Sequence, residues 1–300
     1  MDTGRAAHSA DGTAPAPAPG GDRASRTDPV PFTPDTLLWD MAGDIRVLLC
    51  LPAALVLQVA HPAVGAGVDE HSVFRTDPWG RARRSLDSLQ LWIYGGDRAA
   101  EEGRRLRRLH RDIKGTDTRG RPYHALTPAP YAWVHATGFP VFLRAAEYLF
   151  RPFDEAGERR LHEEARQLGR ILGIRERDMP GSVGEFWTYF DAVVRDELER
   201  TAVVEELLDP RRSVPPPHGA GAAPRLLWPV LRPALLRLQV FATKGLLPPV
   251  ARERLDIDWS RGDELRLRLL GRVVRTVVPR LPERLRYLPV AYAARRAARP

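Results

Sequence analysis

If residues 77–94 form a helix, Arg81, Ser85, Ser88 and Trp92 share a narrow arc, since steps of four, seven and eleven nearly complete whole turns. Leu86, Leu89 and Ile93 mark the buried arc beside them, and Arg84 flanks the polar arc on its other side. An arginine and a serine one turn apart at the edge of a buried face can together hold an anion, a carboxylate or a phosphate. The competing reading is a solvated basic face with an incidental serine. His110 is the second candidate. In a helix over 98–114, Leu106, Leu109 and Ile113 define one buried stripe, and His110 shares it, four residues after Leu106. Such a histidine is either a core residue hydrogen-bonded to a carbonyl or a neutral ring nitrogen offered inward to a metal.

Other chemistries find less support. The Gly-Ala-Gly at 65–67 lacks a dinucleotide fingerprint, because Glu70 stands where the third glycine belongs and the preceding segment reads as helix. Small residues there instead let a backbone or a flat ligand approach closely. His61 and His71 are ten residues apart, and the His-Glu at 162–163 has no second histidine four residues after the first, so a protein-only zinc site is not expected. There is no Gly-x-Ser-x-Gly elbow. The one cysteine, Cys50, lies in an apolar run where a thiol is inert.

These residues need a helical frame. Helical periodicity dominates, with no hairpin signal and no solenoid repeat, so the fold is expected to be all-α, a single helical domain over 36–300. Residues 1–35 read as a disordered Pro/Ala/Gly-rich tail. The first helical segment, 36–60, ends in a run apolar on nearly all faces. Pro52, Gln58, His61 and Pro62 interrupt it, which favours a buried core helix over a membrane span. Asp77-Pro78 starts the next helix, and Gly95-Gly96 closes it. Asp97 caps the helix that Gly115 stops. Residues 131–150 read as one buried helix, and Ser182 with Glu185 starts another. The stretch 209–224 is a Pro/Gly-rich loop inside the domain, and the prolines after it should bend or break the following helix. Residues 262–296 read as a final helix lying on the domain or a basic amphipathic face for an anionic membrane.

Composition bounds the partners. The chain has 300 residues, net charge +8, one cysteine and only two lysines, Lys114 and Lys244. Its arginines are interleaved with acids, unlike a nucleic-acid footprint, so no nucleic acid is expected. There is no secretory h-region at the N-terminus and no disulfide can form within the chain, which fits a cytoplasmic protein with peripheral membrane contact as an option.

The stretches LQVAHPAVGAGVDEHSVFRTDPWGRARRSL, LHRDIKGTDTRGRPYHALTPAPYAWVHAT and KGLLPPVARERLDIDW resemble the domain shared by bacterial rubber oxygenases (latex-clearing proteins) and the fungal oxygenase of mycophenolic acid synthesis. The resemblance covers about 36–260. It implies a globin-like helical core around non-covalent haem b, with His110 matching the proximal iron ligand. It places Arg81 at the arginine near the haem, Ser85 at the threonine four residues later and Arg84 at the distal lysine. Arginine at 84 departs from the pattern, since it neither ligates iron nor shuttles protons as lysine does. Glu70 is a candidate for the family's catalytic glutamate. The helices at 47–60 and 131–150 would sandwich the porphyrin.

The resulting expectation is a haem-dependent oxygenase acting with O2 on an apolar, unsaturated or lipid-like substrate. His110 would hold iron, and Arg81, Arg84 and Ser85 would serve the reaction. The alternatives are a non-catalytic haem carrier or sensor, and a basic peripheral membrane or interaction protein without cofactor.

Overall fold

The computed structural model describes Met1, residues 29–219 and residues 221–299. Most of the tail expected over 1–35 lies outside the described residues. Its last part packs: Phe32 is buried in the core, and the Gln167 amide donates to the carbonyls of Val30 and Pro31.

The chain is all-α. Its elements run α1 (Leu37–Met41), α2 (Val47–Val59), α3 (Pro62–His71), α4 (Pro78–Tyr94) and α5 (Arg98–Leu109), then strands β1 (Lys114–Thr116) and β2 (Pro122–His124). There follow α6 (Pro128–Ala136), α7 (Gly138–Leu149), α8 (Glu155–Ile171), α9 (Val183–Asp196), α10 (Ala202–Leu208) and α11 (Ala222–Leu246). The chain closes with α12 (Pro249–Arg254), α13 (Arg261–Val277), α14 (Glu283–Arg286) and α15 (Pro289–Ala297). The two strands form an antiparallel ladder with Gly115 opposite Tyr123, inside the segment read from sequence as helix end and loop.

Helix α2 is the central rod. Val47, Cys50, Ala53, Val56 and Leu57 are buried, and α3, α7, α10 and α11 pack around it. Burial of each of Val47, Val56 and Leu57 contributes about 1.5–3 kcal/mol. No single described helix is long and apolar enough to cross a membrane; the bent pair α2–α3 passes on length and composition, but α2 is core.

Five expected helices differ. The segment 36–60 is two helices, α1 and α2, parted at 42–46, and the helix expected over 98–114 ends at Leu109 with β1 beginning at Lys114. The segment 131–150 is broken between α6 and α7 at Thr137, because Pro140 has no N–H to offer the Ala136 carbonyl. The Gln58 amide enters the break, donating to the Val134 carbonyl at 3.2 Å and to Thr137 Oγ1 at 3.1 Å. Conversely, α11 runs unbroken through Pro229 and Pro233. Its N-terminal half is exposed, so water can satisfy the carbonyls these prolines leave free. The final stretch is three helices, with Pro279 and Pro282 at the first break.

The C-terminal helices are strapped to the start of the domain by Asp44. Its fully buried carboxylate accepts from Arg46 Nε at 2.7 Å and from Arg286 Nε at 2.9 Å. Backbone bonds Ile45 N–H to Arg286 O and Leu288 N–H to Gly43 O flank this pair, at 2.8 Å each. Burial pushes the Asp44 pKa up, but the arginine hydrogen bonds outweigh it and hold the carboxyl below the usual range.

Candidate functional site

Helices α4 and α5 form an antiparallel hairpin turned by Gly95, Gly96 and Asp97, with Gly96 at φ +56. The Asp77 carboxylate accepts from Gly80 N–H at 2.9 Å, so the expected cap and the first-turn Pro78 set where α4 begins. Asp97 stands at the N-cap of α5, but its side chain makes no capping bond. A buried polar contact fixes the hairpin's register. Ser88 Oγ donates to Glu102 at 2.6 Å, and Arg105 reaches both Glu102 at 2.5 Å and Ser88 at 3.2 Å. The Arg105 hydrogen bonds hold the Glu102 carboxyl below its ordinary pKa.

This register brings Arg81 and His110 to one end. Arg81 lies seven residues before Ser88, and His110 eight after Glu102. At 1.5 Å per residue both stand roughly 10–12 Å from the Ser88–Glu102 contact, away from the glycine turn. Seven residues is two turns, so Arg81 shares the face that Ser88 turns toward α5.

Arg81 is half-buried, and among the described residues no carboxylate stands against it. Burial, then the charge of Arg84, pull its pKa below the ordinary arginine value. It is a desolvated cation without a counter-charge, which is costly unless an anion joins it.

His110 is the C-cap of α5 and half-buried. Its Nδ1 lies 2.8 Å from the Leu106 carbonyl one turn back, where it must carry the proton and donate. That fixes the tautomer with Nε2 as a lone-pair nitrogen facing away from its own helix. The buried stripe expected beside it is not the one observed. Leu109 is 58 % exposed, and α5 buries Ala99, Glu102 and Gly103 instead. A Cβ on Gly103 would lie 2.0 Å from the Ile171 carbonyl, so this face was cut small for backbone contact with the end of α8.

The other expected site residues are placed differently. Ser85 is exposed, and its hydroxyl donates to the Arg81 carbonyl at 3.1 Å. Arg84 is exposed and paired with Asp77 at 3.2 Å. Glu70 stands on the hairpin side of α3, where Tyr123 Oη donates to it at 2.9 Å. Gly65 serves close approach as anticipated: a Cβ there would lie 2.6 Å from the Val59 carbonyl and 3.0 Å from Thr201. The helices expected to sandwich a porphyrin instead touch directly, with Trp133 Nε1 donating to Leu57 O at 3.1 Å. No flat ligand fits between them there; a ligand of the Arg81–His110 end would lie outside that contact.

Four buried side-chain nitrogens have no hydrogen-bond partner among the described residues: His61 Nδ1, Trp92 Nε1, Arg144 Nε and Arg166 Nε. Trp92 continues the arc of Arg81 and Ser88. Among the described residues, no group of three or more His, Cys, Asp or Glu converges as a protein-only metal site.

A separate cavity of about 30 Å³, room for roughly one water, is bordered by His135, His162, Arg166, Met179, Phe186 and Tyr189. Neither it nor the groove beside Arg237 and Trp259 includes Arg81 or His110. Desolvation brings the His135 pKa down from 6.5 to about 4, with the Ala165 carbonyl opposing it weakly. The unfolded chain therefore takes up a proton near pH 6.5 and the folded chain does not until about pH 4. Stability is full above 6.5 and falls across that window, by at most about 3 kcal/mol. His135 is only half-buried as a residue, so solvent relieves part of this and a loss of about 1–3 kcal/mol is expected. Urea midpoints measured from pH 7 to 4 should show a shallower slope in His135→Gln than in the parent. Equal slopes would contradict the assignment.

Residues 39–276 match the model of a family described as "ER-bound oxygenase mpaB/B'/Rubber oxygenase, catalytic domain". Two mycobacterial proteins are similar along most of their length: Uncharacterized protein Mb2261 of Mycobacterium bovis and Uncharacterized protein Rv2237 of Mycobacterium tuberculosis. Each is 30% identical over 244 residues, covering 79% of this chain and 91% of the relative. No solved structure matches.

Proposed function

The chain belongs to this oxygenase catalytic-domain family, and from that premise we propose that it is a haem b-dependent oxygenase acting with O2 on an apolar organic substrate. Family membership supports an oxidoreductase that uses O2 and an organic substrate; haem and the apolar nature of the substrate are our reading.

One observation carries the haem reading. The His110 Nδ1–Leu106 carbonyl bond leaves Nε2 available as a donor that could hold iron, with its ring oriented by a backbone acceptor, as outer hydrogen bonds orient metal-bound histidines. Two features of this end agree with it. Arg81 is a half-buried cation with no carboxylate against it among the described residues, and a propionate would supply the anion. Leu109 is exposed beside His110, an apolar surface that a flat hydrophobe would cover.

The residues present thus fit the group. When bound, haem supplies the O2 and one-electron chemistry that protein side chains lack. Of the chain's own residues, His110 would hold the iron through Nε2. Arg81 would bind a propionate or orient oxygen, and its guanidinium stays protonated throughout. Ser85 would keep the Arg81 backbone in place through its hydroxyl, and Arg84, tied to Asp77, would brace the start of α4. The apolar residues of the hairpin end would exclude water.

Haem titrated into the purified full chain tests this. The expected result is a Soret band distinct from free haem that saturates at a single haem per chain, followed by O2 uptake with isoprenoid or lipid substrates. A loaded protein that consumes no oxygen across such substrates favours a haem carrier or sensor. A chain that takes up no haem overturns the proposal.

A further inference from the structure

Helix α11 leaves the domain. Its C-terminal part is anchored, with Leu236, Val240, Ala242 and Leu246 buried. Its N-terminal half is exposed on almost every side. Leu226 is 81 % exposed, Val230 74 %, Leu227 52 % and Leu235 50 %, with Leu231 and Leu238 also open. A contiguous apolar surface of this kind on a helix marks a contact with something else.

The charge pattern selects the occupant. Within α11 stand Arg225, Arg232, Arg237 and Lys244, and no Asp or Glu occurs between Asp209 and Glu253. Pairing this helix with a second copy of itself would set cations against cations with no carboxylate on either helix. Leucines interleaved with arginines, without acids, match a surface that is negatively charged outside and hydrocarbon beneath. Helix α13 has a shorter exposed row, Leu265, Leu269, Val273 and Val277, but Asp263 and Glu264 stand at its start. Of the C-terminal arginines that sequence suggested for a membrane, three are engaged in ion pairs within the protein, while Arg272, Arg284 and Arg296 are exposed and have no ion pair among the described residues. Arg286 pairs with Asp44, Arg295 with Asp40 and Arg299 with Glu283.

We infer that the N-terminal half of α11 is an interfacial arm that lies in the surface of an anionic phospholipid bilayer, with Leu226, Leu227, Val230 and Leu231 in the acyl boundary and Arg225 and Arg232 at the headgroups. This inference is independent of the haem reading. The arm is held at the α4 start by two tryptophans. Trp228 meets Trp79 edge-on at 5.8 Å, and their ring N–H groups donate to Val214 and Pro215 of the preceding loop.

The test is co-sedimentation of the full chain with vesicles of phosphatidylglycerol and phosphatidylcholine, against phosphatidylcholine alone. Binding should require the anionic lipid and weaken as salt rises. Val230→Glu with Leu226→Glu should lower it at least tenfold, and each of Arg225→Glu and Arg232→Glu by about fivefold or more. These positions are exposed, and unchanged helicity and thermal midpoint would show that the variants fold. Four results overturn the inference: no sedimentation with a monomeric chain; no sedimentation but self-association that Val230→Glu abolishes, which assigns the face to a second copy; binding indifferent to lipid charge; or binding unchanged in the leucine variants.

Discussion

His110→Ala should lose haem. Removing an outer hydrogen bond from a metal-bound histidine already costs roughly 10–100-fold in metal affinity, so removing the ligand itself should exceed that. The variant should emerge with little iron and a Soret band near that of free haem. Folding should survive, because His110 is a half-buried C-cap whose one side-chain bond goes to its own helix. The space left beside Leu106 and Leu109 also offers a control: added imidazole should restore the band. The ligand assignment fails if His110→Ala retains full iron content, and a restored band distinguishes a missing ligand from a damaged fold.

Asp44→Asn is expected to destabilise the domain by about 3–5 kcal/mol, because it strands the buried Arg46 and the Arg286 guanidinium without their shared carboxylate. Arg46 is not fully orphaned, since it also donates to the Leu149 carbonyl at 3.0 Å and stacks on Phe150 at 3.7 Å. These contacts place the loss in the lower part of that range. A double variant, Asp44→Asn with Arg46→Met, should recover part of the stability, since the uncompensated cation is then gone. Urea midpoints of the three proteins measure this, and a double variant weaker than the sum of the singles would contradict it. Asp44 has a depressed pKa in the folded chain. Its contribution is therefore present above the ordinary carboxylate value of 3.8 and is lost as pH falls through the folded value.

Much of the frame was legible because local chemistry determined it. Asp77-Pro78 and Ser182 cap the helices they were expected to cap, and the apolar run at 47–59 is core. What stayed hidden depends on distant partners. The strands at 114–116 and 122–124 are too short to show a period of two. The buried side of α5 was misassigned because the eye looks for leucine. Here contact is made by Gly103 against a carbonyl and by Glu102, which is tolerable inside only because Ser88 and Arg105 meet it. Asp44 gave no signal, since Arg286 is 242 residues away. At the candidate site, spacing identified Arg81 and His110 as a face and a stripe. Their common position at one end of the hairpin follows only once Ser88 and Glu102 set the register. Ser85 and Arg84 were chosen on the same spacing, yet one hydroxyl is bonded to its own helix and one guanidinium to the cap.

The paired indoles of Trp79 and Trp228, the latter within the exposed half of α11, have a thermodynamic corollary. Trp79 opens α4 two residues before Arg81, so the arm touches the helix whose Arg81 would bind the proposed cofactor. If both ligands bind, coupling through this contact is reciprocal: whatever factor lipid adsorption would contribute to cofactor retention, cofactor would return to lipid adsorption. Cofactor dissociation measured with and without vesicles, and vesicle affinity measured with and without cofactor, are two sides of one closed cycle.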